Sequence, residues 1–230
     1  MKLNHFFGLT GNQCKILALV AMTIDHIGVQ IFPQNPVLHI IGRLAFPIFA
    51  YMIAEGAKYT KNRKKYLGTM LALGICFQIV YFFTEHSLYQ SIFITFSLSI
   101  LLIYALDHAL KRKTFDAWIL LVLLFLVIFF VAYIVPELLV DRDFYIDYGI
   151  WGILLPVFVY LGKNKWEKLA LCVIPLFFLS LMFIDQKYAF FALIPLALYN
   201  GKRGKLNMKY LFYIYYPLHL IIIYLYSLLL

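Results

Sequence analysis

Asp25 and His26 stand side by side two-thirds of the way along an apolar run, CKILALVAMTIDHIGVQIF, at residues 14–32. A carboxylate and an imidazole can both take up and give up protons near neutral pH or below. Neither is cheap to place in such a run, because an ionised carboxylate near the centre of a bilayer costs several kcal/mol. The pair must therefore face a protein interior or a wet cavity, which makes it a candidate for acid–base chemistry. Lys15 precedes His26 by eleven residues. Eleven helical steps return to within about 20° of the starting direction and rise roughly 16 Å, so Lys15 and His26 share one face of a helix. Asp25 points about 100° away from His26. It is expected to reach a neighbouring helix instead of orienting the imidazole.

The next apolar run, at 37–56, carries Arg43 toward one end and Glu55 toward the other. Only PQNP separates it from the first run, so the two helices must be antiparallel neighbours. Arg43 then falls at the depth of Asp25, and an ion pair between them is expected. Pro47 removes one helical hydrogen bond and is expected to bend the chain close by. Glu55 lies within reach of Lys58 or the basic loop that follows. The last run contains YYPLHL, with His219 near its middle, and Gln78 is a further polar group within the third run. His26, Asp25, Arg43, Gln78 and His219 are expected to converge at similar depth. His5, His39, His86 and His108 fall near segment ends and read as interfacial. The structural alternative is that these groups only hold helices together, with Lys15 snorkelling to the interface.

The elements that must position these residues follow from composition. Hydrophobic residues make up 64% of the 230, aromatics 19% and charged residues 13%. Half the usual charged share places the chain in lipid. The expected class is all-α: a polytopic integral membrane helical bundle forming a single domain, residues 1–230, with about nine transmembrane helices. The apolar segments run at 14–32, 37–56, 66–84, 91–108, 116–135, 148–162, 167–184, 188–200 and 211–229. Most approach the ~20 residues that cross a bilayer, while 148–162 and 188–200 are shorter. Loops KYTKNRKK, KRK, KNKWEK and GKRGKLNMK are basic, and those between them carry only Arg142 and Lys187. Such alternation places the N-terminus in the cytoplasm and the C-terminus outside. The net charge of +9 is accounted for by this topology and by anionic lipid, so no nucleic acid is expected as a partner. No stretch reads as a cleavable signal peptide, since Lys15 interrupts the first run. Cys14, Cys76 and Cys172 are scattered singly, which suits small core residues better than a disulfide framework or a metal site.

Three stretches together, CKILALVAMTIDHIG, then IIGRLAFPIFAYMIAEG with KYTKNRKKY, and finally KYLFYIYYPLHL, resemble the TraX family over nearly the whole chain. That family is named for a conjugation protein involved in N-terminal acetylation of pilin. It is similar to wider groups of membrane acyltransferases, among them the type 3 acyltransferases. Their first span carries a basic residue and a histidine with ten residues between them, a spacing that Lys15 and His26 fit. The resemblance implies an acyltransferase of the cytoplasmic (inner) membrane. Its expected donor is cytoplasmic acyl-CoA, most simply acetyl-CoA, and it needs no metal. Its catalytic set would be His26 as general base with Asp25, Arg43 and His219. Its substrate-binding set would be Lys15, Gln78, Glu55, Arg63, Lys64 and Lys65. Cations at the cytoplasmic face would hold the donor's phosphates. The roughly 16 Å from Lys15 to His26 matches an extended pantetheine arm, and Arg43 would stabilise the oxyanion.

The residues themselves leave the acceptor open among a peptide amine, a glycan hydroxyl and a small molecule. They also leave two rival readings. Intramembrane Asp and His serve as proton relays in proton-coupled small-molecule transporters, although no internal repeat is visible here. A non-catalytic membrane component of a conjugation or pilus assembly system would use the same groups to hold its helices.

Overall fold

The computed structural model describes residues 8–205 and 208–229; His5 lies outside the described residues. The described chain is helical and contains no strand. The α-helices in order are α1 (Gly11–Gln30), α2 (Pro36–Gly42), α3 (Ala45–Tyr59), α4 (Arg63–Glu85), α5 (Ile92–Arg112) and α6 (Phe115–Phe129), followed by α7 (Val135–Leu138), α8 (Gly149–Leu161), α9 (Lys165–Met182), α10 (Leu193–Ala197) and α11 (Lys209–Ser227). Among the described residues four stretches are long and apolar enough to cross a membrane: Pro36–Tyr59, Arg63–Phe83, Ile92–Arg112 and Phe115–Leu138. The short segment at 188–200 lies in a 3-10 helix, Ile184–Ala192, that runs on into α10.

Proline explains where the long helices change. Pro136 has no N–H for the carbonyl of residue 132, and its ring crowds that carbonyl. The chain widens there into a π-turn at Phe130–Ile134, in which the N–H of Val135 reaches back to the Phe130 carbonyl. Pro47 acts similarly from the first turn of α3. It cannot serve the carbonyl of Arg43, and the helix stops at Gly42 and restarts at Ala45. The N–H of Leu44 closes the break on the Ile41 carbonyl at 3.2 Å. The bend expected near Pro47 is thus a break placed directly at Arg43.

The chain forms two compact units, Met1–Met52 with Ser180–Leu230, and Ile53–Leu179. In the first, α1 packs against α2 and α11. Thr10 caps α1: its hydroxyl accepts from the N–H of Gln13, and the Gln13 side chain accepts from the N–H of Thr10 at 2.8 Å. The next donors are met by a returning segment, with Gly11 N–H on the Lys202 carbonyl at 2.8 Å and Asn12 N–H on that of Arg203 at 3.0 Å. The orphan donors of a helix start thereby fasten the basic residues 202–203 to the head of α1.

In the second unit α5 packs against α4, α6 and α8 around Leu102, Ile103, Ile128, Ile146 and Ile153. Ser99 donates both to Thr95 (2.9 Å) and across to the Ile153 carbonyl of α8 (2.7 Å); a hydroxyl has one proton, so it alternates between the two acceptors. Two ionic clusters lie within this unit, the first partly exposed and the second buried. Asp107 accepts from Arg63 at 2.6 Å, Lys111 at 2.9 Å and Tyr160 at 2.9 Å. Lys168 donates to Glu55, and both are buried. Glu55 is therefore paired with α9 instead of Lys58, which is exposed.

Removing one partner of a buried ion pair strands the other, at a cost of about 3–5 kcal/mol. Lys168→Met should lower the thermal midpoint of the detergent-solubilised protein markedly, and adding Glu55→Gln should restore most of the loss. Equal midpoints for the single and the double variant would dismiss the pair as the cause.

Candidate functional site

The first unit brings His26 of α1 and His219 of α11 together. Nδ1 of His26 lies 2.7 Å from Nε2 of His219, and the two rings stack 5.0 Å apart at 18°. The other nitrogen of His219, Nδ1, lies 2.9 Å from the carbonyl oxygen of Tyr215. A carbonyl only accepts, so His219 carries its proton on Nδ1 and, when neutral, presents a lone pair at Nε2. His26 must then donate from its own Nδ1. The lone pair of neutral His26 is left on Nε2, which makes that atom the base of the pair. A proton taken up there creates an imidazolium whose Nδ1–H already points at an acceptor. This is the orienting logic of a histidine held by a third group, with a buried neutral imidazole in place of a carboxylate.

Tyrosines hold the relay in place. The Tyr215 ring stacks on His219 at 5.2 Å, and Tyr216 meets both imidazoles edge-on, at 6.4 Å from His26 and 5.5 Å from His219. Thr23 spends its hydroxyl proton on the Leu19 carbonyl at 2.9 Å. The Tyr215 hydroxyl, 2.8 Å from Thr23 Oγ1, is therefore the donor in that contact.

Beside the relay, Asp25 faces α2. Arg43 donates to both of its oxygens, at 2.8 Å to Oδ1 and 2.7 Å to Oδ2, which is the ion pair that the antiparallel packing of α1 and α2 requires. Arg43 Nε also reaches the His39 carbonyl at 3.3 Å. His39 Nδ1 lies 3.0 Å from Asp25 Oδ1, so His39 is no mere interfacial residue. The sequence signal for it was its position four residues before Arg43, on the same helix face. A Cβ on Gly42 would fall onto the Asp25 carboxylate; only glycine lets α2 come this close to α1.

Lys15 sits on α1 toward its start, and its charge interacts with that of Arg203. The remaining candidates belong to the second unit. Gln78 donates to the Ser87 carbonyl at 3.2 Å and accepts from Gln90 at 2.8 Å. Glu55 is held by Lys168 and Arg63 by Asp107, while Lys64 and Lys65 are exposed. Cys14 and Cys172 are buried as core residues, but Cys76 is exposed. Among the described residues no group of three His, Cys, Asp or Glu side chains is arranged to hold a metal ion.

Four apolar helices among the described residues, long enough to cross a membrane, define a helical membrane protein, whose first unit holds a histidine relay and an Asp–Arg pair. The family model described as TraX protein matches residues 10–227, and the chain belongs to the TraX family. It is 24% identical to the "Probable fimbrial assembly protein FimC, serogroup H1" of Dichelobacter nodosus, covering 90% of this chain and 91% of that protein. It is 25% identical to an uncharacterized protein of Rickettsia prowazekii (strain Madrid E), covering 86% of this chain and 73% of that one. No solved structure matches it.

Gly42→Ala should destabilise the protein by about 1–3 kcal/mol through overpacking against Asp25. Gly68→Ala, where nothing lies within 4 Å of the added carbon, should instead be neutral or stabilising by up to about 1 kcal/mol. Thermal melting of both variants checks the contrast, and the same sign for both would refute the close-approach argument.

Proposed function

We propose that this chain is a membrane-embedded acyltransferase that moves an acyl group, most simply acetyl, from cytoplasmic acyl-CoA to an amine or hydroxyl acceptor. In this reading it crosses the cytoplasmic (inner) membrane about nine times, with its N-terminus in the cytoplasm and its C-terminus outside. The observation that carries the reading is the relay from His26 through His219 to the Tyr215 carbonyl. It leaves His26 Nε2 as a base at the end of an orienting chain, as acyl transfer to a protonated nucleophile needs.

The donor end of α1 fits the same scheme. Lys15 stands one turn beyond the head of α1, to which backbone hydrogen bonds fasten the basic residues 202–203. Phosphate oxygens of a CoA moiety would be drawn to these basic residues and to the positive end of the helix dipole. The thioester would then lie roughly 16 Å further along the helix, at His26. His26 takes the proton from the attacking nucleophile, the carbonyl carbon becomes tetrahedral, and the thiol leaves with the proton that His26 returns. Arg43 lies one helix away with its charge set by Asp25, and its field favours the oxyanion.

The fimbrial-assembly name of one relative favours a second reading, in which the protein belongs to a pilus or conjugation apparatus. The two readings are compatible if the acceptor is a subunit of a surface fibre.

Purified protein in nanodiscs with labelled acetyl-CoA should release CoA and label an acceptor. His26→Gln should reduce transfer by at least about a hundredfold while melting as the native protein does. His219→Gln should retain partial activity, because a glutamine can still accept from His26 Nδ1. Undiminished transfer by a well-folded His26→Gln protein would overturn the assignment.

A further inference from the structure

The relay uses His26 and His219, and the fold orients a third histidine, His39, that the mechanism above leaves idle. His39 Nδ1 lies 3.0 Å from Asp25 Oδ1. A carboxylate cannot donate, so Nδ1 carries the proton and the lone pair of neutral His39 is on Nε2. Arg43 donates to both oxygens of the same carboxylate. Unlike His219, which is buried, the His39 side chain is 29% exposed. It stands in the first turn of α2, one turn and about 6 Å closer to the α1–α2 connection than Arg43.

Resting on the acyl-transfer reading, we propose that His39, backed by Asp25, is a second catalytic base, which takes the first proton from an amine acceptor that arrives as an ammonium. The proton count requires one. An ammonium has no lone pair and must lose a proton before it can attack. It must lose another after attack, when the nitrogen of the tetrahedral intermediate is again positively charged. One histidine that returns its proton to the leaving sulfur handles only the later of these.

In the balanced sequence, R–NH3+ gives a proton to His39 Nε2. The freed lone pair forms the C–N bond to the thioester carbon, and the carbonyl pair moves onto oxygen. His26 Nε2 then removes the second proton from nitrogen. The carbonyl reforms, the C–S bond breaks, and sulfur leaves as the thiol with the proton from His26. The proton on His39 passes to water on its exposed side. The net products are the amide, CoA thiol and one proton. The charged or titratable groups around His39 are Asp25 and His26 on α1, Arg43 at the end of α2, and Asp185 and Lys187 on the 3-10 segment Ile184–Ala192 packed against α2.

The test compares native protein with His39→Gln, whose side-chain amide still donates to Asp25, and with His39→Asn as a second variant. Acetyl-CoA is the donor. The acceptors are a short peptide with one free α-amino group, protonated below a pKa of about 8, and aniline, which is neutral throughout. At about pH 6 the glutamine variant should lose about a hundredfold on the peptide and stay within about threefold of native on aniline. At about pH 9, where the peptide arrives as a free amine, its deficit should close. A purely structural role for His39 would depress both acceptors at both pH values, in either variant, and that result overturns the proposal. So does an unchanged rate on the protonated peptide. Native protein that acylates neither acceptor would instead overturn the acyl-transfer reading itself.

Discussion

A single carboxylate organises the first unit. Asp25 sits in a helix otherwise rich in apolar residues, and an uncompensated charge there would cost several kcal/mol. Arg43 meets both of its oxygens, and His39 meets one of them. Those contacts require α2 to lie directly against α1, which Gly42 permits and the short connection between the helices enforces. They also require the chain to turn at Arg43, so that one guanidinium can leave the helix axis and span both oxygens. The break before α3, which Pro47 imposes, supplies that turn.

The histidine relay depends on this arrangement because Asp25 and His26 are adjacent on α1. Anchoring Asp25 toward α2 fixes the rotation of the helix and presents His26, about 100° around the axis, to α11. There His219 and Tyr215 meet it. The polar groups of this unit are therefore satisfied in two directions from one helix, by an ionic cluster on one side and a neutral relay on the other. The difference matters chemically. A neutral relay leaves its first imidazole able to take up a proton, whereas the ion pair beside it sets the field.

The second unit shows the contrasting use of buried charge. Lys168 saturates Glu55, and Asp107 is shared among Arg63, Lys111 and Tyr160. These contacts tie α3 to α9 and α5 to α4 and α8. No imidazole is among them. Their role is to hold helices whose outer faces are apolar.

Periodicity and charge placed most of the helices, because a bilayer-like composition leaves the backbone few ways to satisfy its hydrogen bonds. Helical spacing and a four-residue connection likewise made the Asp25–Arg43 pair legible, since both are local consequences of 3.6 residues per turn. Convergence of His26 and His219 was expected from their depth, but not their direct contact, as 193 residues separate them and helix order within a bundle follows from packing across the whole unit. Glu55 found its partner in Lys168, 113 residues away, for the same reason. His39 was hidden by its place near a segment end, where a histidine satisfied by water reads the same as one satisfied by a carboxylate. The amino-acid sequence by itself thus determined a helical membrane protein with protonatable groups on its first helix. Only the tertiary structure decided which of those groups face one another, because that choice is made by contacts between distant segments and not by the periodicity of any one of them.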